Sequence, residues 1–151
     1  GINLKNLAWL VPLPVISGGI AAFISGFVMV HLFKKHERWM ISIASFLTLV
    51  FMFGLFKSTS LVGVVIFDVL IYFVKSLAFT GIFSFIAQIL SEKTYGSSIG
   101  IVNFGGQLGG FVGPLLIGWI VQAAGSYSAA FFGLVISALV AVIACLFIRK
   151  A

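Results

Sequence analysis

Charged side chains are scarce in this sequence. They make up 8% of its 151 residues, whereas soluble domains carry roughly 25%. Hydrophobic residues reach 62%, and so few charges cannot cover the surface of a globule of this size. The shortage of charge therefore excludes a soluble domain and predicts an integral membrane protein.

Reactive and metal-binding residues are also few. Cys145 is the only cysteine, so no internal disulfide can form, and we interpret it as a small buried apolar residue. No Ser/His/Asp, Cys/His or paired-carboxylate arrangement is visible, and His31 and His36 are better explained as solvated side chains than as metal ligands. We therefore expect no enzyme, no cofactor and no metal site.

What the chain does have is long apolar runs. Each can cross a hydrocarbon core about 30 Å thick, which takes about 20 helical residues, and lipid requires such segments to be helices. The sequence predicts an all-α membrane protein with five spans at about 8–33, 39–57, 61–90, 98–121 and 128–148. The segments between them, 34–38, 57–60, 91–95 and 122–127, are predicted as short loops.

The basic residues flank these spans, so topology explains the net charge of +6 better than nucleic-acid binding does. One side of the membrane collects Lys34, Lys35, Arg38, Lys93, Arg149 and Lys150, and the other only Lys5 and Lys57. The positive-inside rule predicts an outside N-terminus and a cytoplasmic C-terminus. We expect a multi-pass protein of the bacterial cytoplasmic membrane.

The third span carries two charges, Asp68 and Lys75. Seven helical residues place them on nearly one face, about 10 Å apart along the axis, and Tyr72, Phe79 and Phe83 lie near the same stripe. A charge at the depth of Lys75 is costly and makes that residue a functional candidate. Alternatively the two charges only hold the bundle together, and Asp68 is near enough to the outer end to be hydrated.

The fourth span is rich in glycine. Gly105, Gly109 and Gly113 recur every four residues and offer a smooth stripe for a close helix contact, and Pro114 is expected to kink the helix. Asn103 and Gln107 lie on another face and either line a polar cavity or make interhelical hydrogen bonds. A phosphate-binding loop is excluded, because the glycines lie inside a span with no Gly-Lys-Ser/Thr after them.

Residues 96–119 read GSSIGIVNFGGQLGGFVGPLLIGW. This stretch resembles the C-terminal half of the major facilitator superfamily, in particular the anion:cation symporter family that includes sugar-acid, tartrate and phthalate permeases. The likeness extends over nearly the whole chain, as helices eight to twelve of that fold. It implies a fragment of a carrier whose N-terminal half would be its partner, working by alternating access.

The resemblance also implies roles for single residues. Asn103 takes the place of an asparagine of the substrate cavity, with Gln107 beside it, and Lys75 matches a lysine found in some sugar-acid permeases. The substrate would be a small organic anion, bound by Lys75, Asn103, Gln107, Tyr72 and Phe83, with a proton or other cation coupled through Asp68. Gly26, together with Gly105, Gly109, Gly113 and Pro114, would serve helix packing and gating.

The sequence departs from the family pattern at two positions. Val30 stands where the loop motif that follows Gly26 has an acid, which weakens the expected charged gate, and Phe83 stands where related permeases have a tryptophan. Two other functions therefore stay open: a carrier in the same superfamily for sugars, drugs or peptides, and a small membrane protein that only packs or assembles with a partner.

Overall fold

The computed structural model describes residues 9–34 and 36–147, without the side chain of Cys145. Several residues on which sequence predictions rest fall outside this part of the chain. These are the basic residues Lys5, Lys35, Arg149 and Lys150, the side chain of Cys145, and the outer limits of the first and last predicted spans, residues 8 and 148.

Five helices follow one another through the described residues. They are α1 (Pro12–His31), α2 (Glu37–Lys57), α3 (Leu61–Ile89), α4 (Glu92–Ala124) and α5 (Tyr127–Leu146). All five are long and apolar enough to cross a membrane. The predicted all-α membrane architecture is therefore confirmed.

The ends of the helices differ from the ends of the apolar runs. α4 begins at Glu92 and continues to Ala124, so it takes up most of residues 91–95, which the sequence predicted as a loop. It ends at Gly125, whose φ of +63° is left-handed, a conformation that glycine adopts without steric cost. At about 50 Å, this helix is longer than the hydrocarbon core requires.

Glu37 corrects the predicted loop at residues 34–38. It is the first residue of α2, and its side chain is only 1% exposed. A carboxylate in the first turn of a helix is favoured by the partial positive charge of the helix N-terminus. The local charge pattern, in which Glu37 stands beside Arg38, gave no sign that one of these side chains points inward.

α3 is the centre of the bundle, with extensive contacts to both α1 and α2. It runs parallel to α1, since Ser17 meets Val69 at one end and Met29 meets Gly81 at the other. It runs antiparallel to α2, since Ile41 lies against Gly81 and the later residues of α2 meet the start of α3. A small apolar core of Ile41, Phe85 and Ile82 forms where α2 and α3 meet.

α5 and α4 lie outside this three-helix centre. α5 packs along α2, where the ring of Phe56 stacks on that of Phe131 with centroids 4.4 Å apart. α4 contacts α5 and, sparingly, α3, and none of its residues is buried. Large apolar side chains remain exposed on every helix, up to 89% for Phe23, as a lipid-facing surface allows.

Candidate functional site

The polar stripe of α3 is the most unusual feature of the bundle. Lys75 lies at the middle of α3 (Leu61–Ile89), about 21 Å from either end of the helix. Its side chain is exposed, yet it is too short to bring the ammonium group to either membrane surface. A cation at this depth normally faces a water-filled cavity or a partner charge.

Tyr72 holds the Lys75 ammonium group. The Nζ atom lies 4.2 Å from the centroid of the Tyr72 ring, within the range of a cation–π interaction. Three residues separate the pair, which is the spacing that places side chains next to each other on a helix. The aromatic ring therefore favours one position of the ammonium group while leaving it open to a ligand.

The same stripe continues beyond Lys75 with two aromatic rings. Phe79 and Phe83 meet edge to face, with centroids 5.0 Å apart, an arrangement that aromatic quadrupoles favour. Phe83 is half-buried and Phe79 is exposed. The arrangement combines one cation with an apolar aromatic wall on a single helix face.

Asp68 lies one turn before Tyr72 and is half-buried. Within the described residues it forms no salt bridge with Lys75, because seven residues separate them by about 10 Å along the axis. An intrahelical ion pair that only holds the bundle together is therefore not seen in this part of the chain. Asp68 is left as a separate carboxylate on the same stripe.

α1 crosses closely over α3 beside Tyr72. The Ser17 hydroxyl donates a hydrogen bond to the Val69 carbonyl oxygen over 2.9 Å. A β-carbon at Gly18 would stand 2.9 Å from Ser76 Oγ and 3.6 Å from the Tyr72 ring. The sequence analysis assigned none of Ser17, Gly18 and Ser76 to the site, although Ser76 adjoins Lys75 in the chain.

No hydrogen bond joins the amides of α4 to this cation within the described residues. Asn103 and Gln107 are both exposed, and neither side chain makes a hydrogen bond within the described residues. The structure therefore does not join Lys75, Asn103 and Gln107 into one site through direct contacts. Their exposure leaves the amides available to a ligand or to another helix.

The glycines that the sequence predicts to pack against other helices also lack close neighbours in the described residues. A β-carbon at Gly26, Gly105, Gly109 or Gly113 would meet no described atom within 4 Å. Pro114 lies inside α4, which continues to Ala124 beyond it. A packing partner for these positions is thus absent from the described helices, and their role in packing and gating stays a prediction.

Comparison with known proteins relates the whole chain to membrane transporters. A family model described as the Major Facilitator Superfamily matches residues 1–151. The Hexuronate transporter of Bacillus subtilis (strain 168) is 28% identical over 159 aligned positions, which cover 95% of this chain and 36% of that protein. The chain thus spans about a third of the length of this curated relative. No solved structure matches it significantly.

Proposed function

The chain belongs to the Major Facilitator Superfamily, and on that premise we propose that it forms part of a secondary transporter for a small organic anion. The substrate class is a carboxylate or sugar acid. The observation that carries this proposal is Lys75, an exposed cation at the middle of a membrane-length helix. Substrate sites of such carriers lie near the bilayer midplane.

The chemistry of Lys75 favours an anion. An ammonium group that is removed from bulk water attracts a carboxylate more strongly than it does in solution, whereas a neutral sugar gains little from it. The Tyr72 ring keeps the ammonium group in place, 4.2 Å from the ring centroid. The Bacillus subtilis relative is named for hexuronate, a sugar carboxylate, which supports the same substrate class.

The remaining polar residues take complementary roles in this proposal. Asn103 and Gln107 donate and accept hydrogen bonds with hydroxyl groups of the substrate, and Phe83 contributes an apolar wall. Asp68 is assigned to the coupling proton in this proposal, because it is a half-buried carboxylate on the same stripe that forms no salt bridge with Lys75 within the described residues.

A second half of the carrier completes the mechanism. Carriers of this superfamily rock two repeats against each other around a central site. α4 buries none of its residues, and Gly105, Gly109 and Gly113 stand open, so this helix offers a smooth face to the opposing half. The proposed partner is the N-terminal half of the same carrier, and Pro114 lies where α4 would bend during the movement.

Uptake of a radiolabelled hexuronate by the complete carrier in proteoliposomes tests this function. Lys75→Ala should abolish uptake, and Lys75→Arg should retain part of it because the positive charge remains. Lys57→Ala is the matched control, since Lys57 is a cation at the end of α2 that lies over the Phe53 ring. Equal uptake of a neutral hexose, or full hexuronate uptake after Lys75→Ala, would contradict the anion proposal and favour another substrate class.

We also propose the orientation that the basic residues predict, with the C-terminus in the cytoplasm of a bacterial cell. Reporter fusions at the C-terminus test it. A fluorescent-protein fusion should fluoresce and an alkaline phosphatase fusion should be inactive, whereas the opposite pattern would reverse the orientation.

A further inference from the structure

A groove runs along the seam between α2 and α5, on a side of the bundle that the transport proposal does not use. Its mouth is a small cavity of about 70 Å³ lined by Arg38, Trp39, Ser42 and Leu146. Below the mouth lies an apolar groove of about 290 Å³, which shares Trp39, Ser42 and Leu146 with it. The two spaces form one site with a polar end and an apolar end.

The apolar end has the dimensions of a lipid chain. Ile43, Phe46 and Leu47 of α2 and Val142 of α5 line it. A further apolar groove lies along the same seam at Val50, Phe53 and Val135. From Ile43 to Phe53 the seam is about 15 Å long, which is half the thickness of the hydrocarbon core and so the depth of one leaflet.

The polar end carries positive charge. The exposed Arg38 guanidinium group lies 5.6 Å from the centroid of the Trp39 ring, and tryptophan prefers the level of lipid headgroups. The neighbouring Glu37 is 1% exposed and is not among the residues that line the mouth. In the sequence, Arg149 and Lys150 follow Leu146 by three and four residues.

From this juxtaposition we propose that the α2–α5 groove is a binding site for an anionic phospholipid. The headgroup phosphate binds Arg38 and accepts a hydrogen bond from the Ser42 hydroxyl, and one acyl chain lies along Ile43, Phe46 and Val142. Basic pockets between membrane helices bind anionic headgroups. The apolar groove below the mouth excludes a free phosphate ion as the preferred ligand, since such an ion would leave the groove unfilled.

Native mass spectrometry tests the proposal. The full chain is placed in nanodiscs of equal parts phosphatidylglycerol and phosphatidylcholine. The protein is then released from the nanodiscs in the mass spectrometer, and the lipids of each kind that stay bound to it are counted. The unaltered chain should retain phosphatidylglycerol selectively, and Arg38→Gln should lower that selectivity about five-fold, as expected when one basic residue near an anionic surface is lost. Lys57→Gln, which removes an equal charge at the other end of α2, should leave it unchanged.

Equal retention of the two lipids by the unaltered chain would overturn the proposal, as would equal losses in Arg38→Gln and Lys57→Gln. If Arg38→Gln does not fold, crosslinking of the unaltered chain with a phosphatidylglycerol that carries a photoactivatable acyl chain decides the question. Adducts concentrated on residues 43–47 and near Val142 support the groove. Adducts spread evenly over the helices contradict it.

Discussion

Gly54 of α2 lies directly against the ring of Phe67 of α3, with no room between them for a β-carbon. The two helices approach each other closely at this point because one of them has no side chain. Gly18 of α1 and Gly81 of α3 act in the same way. A β-carbon at Gly81 would lie 3.2 Å from the side chains of Met29 in α1 and Ile41 in α2. The three-helix centre of the bundle thus depends on glycines outside the conspicuous glycine stripe of α4.

Gly54→Ala should destabilise the bundle. The added methyl group displaces the Phe67 ring, and such overpacking costs about 1–3 kcal/mol. Gly19→Ala is the matched control, because a β-carbon there meets no described atom within 4 Å, and alanine favours a helix over glycine by about 1 kcal/mol. Thermal unfolding in detergent should show a lower midpoint for Gly54→Ala alone. Equal midpoints for the two variants would refute the close α2–α3 crossing.

Gly18→Ala should impair binding of the proposed substrate. Its new β-carbon would lie 2.9 Å from Ser76 Oγ, so either the Ser76 hydroxyl must rotate away or α1 must move apart from the segment of α3 that carries Tyr72 and Lys75. Gly19→Ala is the control on the next residue, where a β-carbon meets nothing within 4 Å. In proteoliposomes that contain the complete carrier, KM for a hexuronate should rise several-fold for Gly18→Ala only. A similar KM in both variants would show that the crossing does not position Lys75.

Tyr72→Leu should weaken substrate binding, whereas Tyr72→Phe should not. The phenylalanine ring still offers its face to the Lys75 ammonium group, but leucine does not. A cation–π interaction of about 0.5–1 kcal/mol corresponds to a two- to five-fold rise in KM for hexuronate uptake. If Tyr72→Phe is as impaired as Tyr72→Leu, the tyrosine hydroxyl rather than the ring face matters for the substrate.

Asp68→Asn should uncouple accumulation from exchange. The amide keeps the size of the side chain but cannot carry a proton, so substrate counterflow should persist while accumulation driven by a pH gradient is lost. Glu92→Gln is a suitable control, because Glu92 is an exposed carboxylate at the start of α4. Unchanged accumulation by the Asp68→Asn carrier would assign coupling to another group.

The stripe on α3 could be predicted because it is a property of one helix. The spacing of Tyr72, Lys75, Phe79 and Phe83 alone places these side chains on one face, and the structure shows the pairs Tyr72–Lys75 and Phe79–Phe83 in contact. The sequence left a pair between Asp68 and Lys75 open, and the structure shows no salt bridge between them in the described residues. Whether these residues serve transport is a separate question, which the experiments above address.

The surroundings of each helix could not be predicted in this way. The packing stripe predicted on α4 has no described atom within 4 Å of a β-carbon at Gly105, Gly109 or Gly113. The isolated Gly54, by contrast, lies against the ring of Phe67. A glycine pattern describes how closely another helix can approach, and the position of that other helix depends on the rest of the bundle. For the same reason the burial of Glu37 was not evident from a segment of the sequence rich in charge.

The sequence by itself determined that this is a membrane protein of five helices with a cation at the middle of the third. Lipid cannot hydrogen-bond the backbone, so apolar runs of sufficient length must become helices wherever they lie. Only the tertiary structure decided which faces meet: α3 between α1 and α2, α5 along α2, and α4 with no buried residue. The contacts between helices depend on how side chains from distant parts of the chain fit together. This fit cannot be predicted from the residue pattern of a single helix.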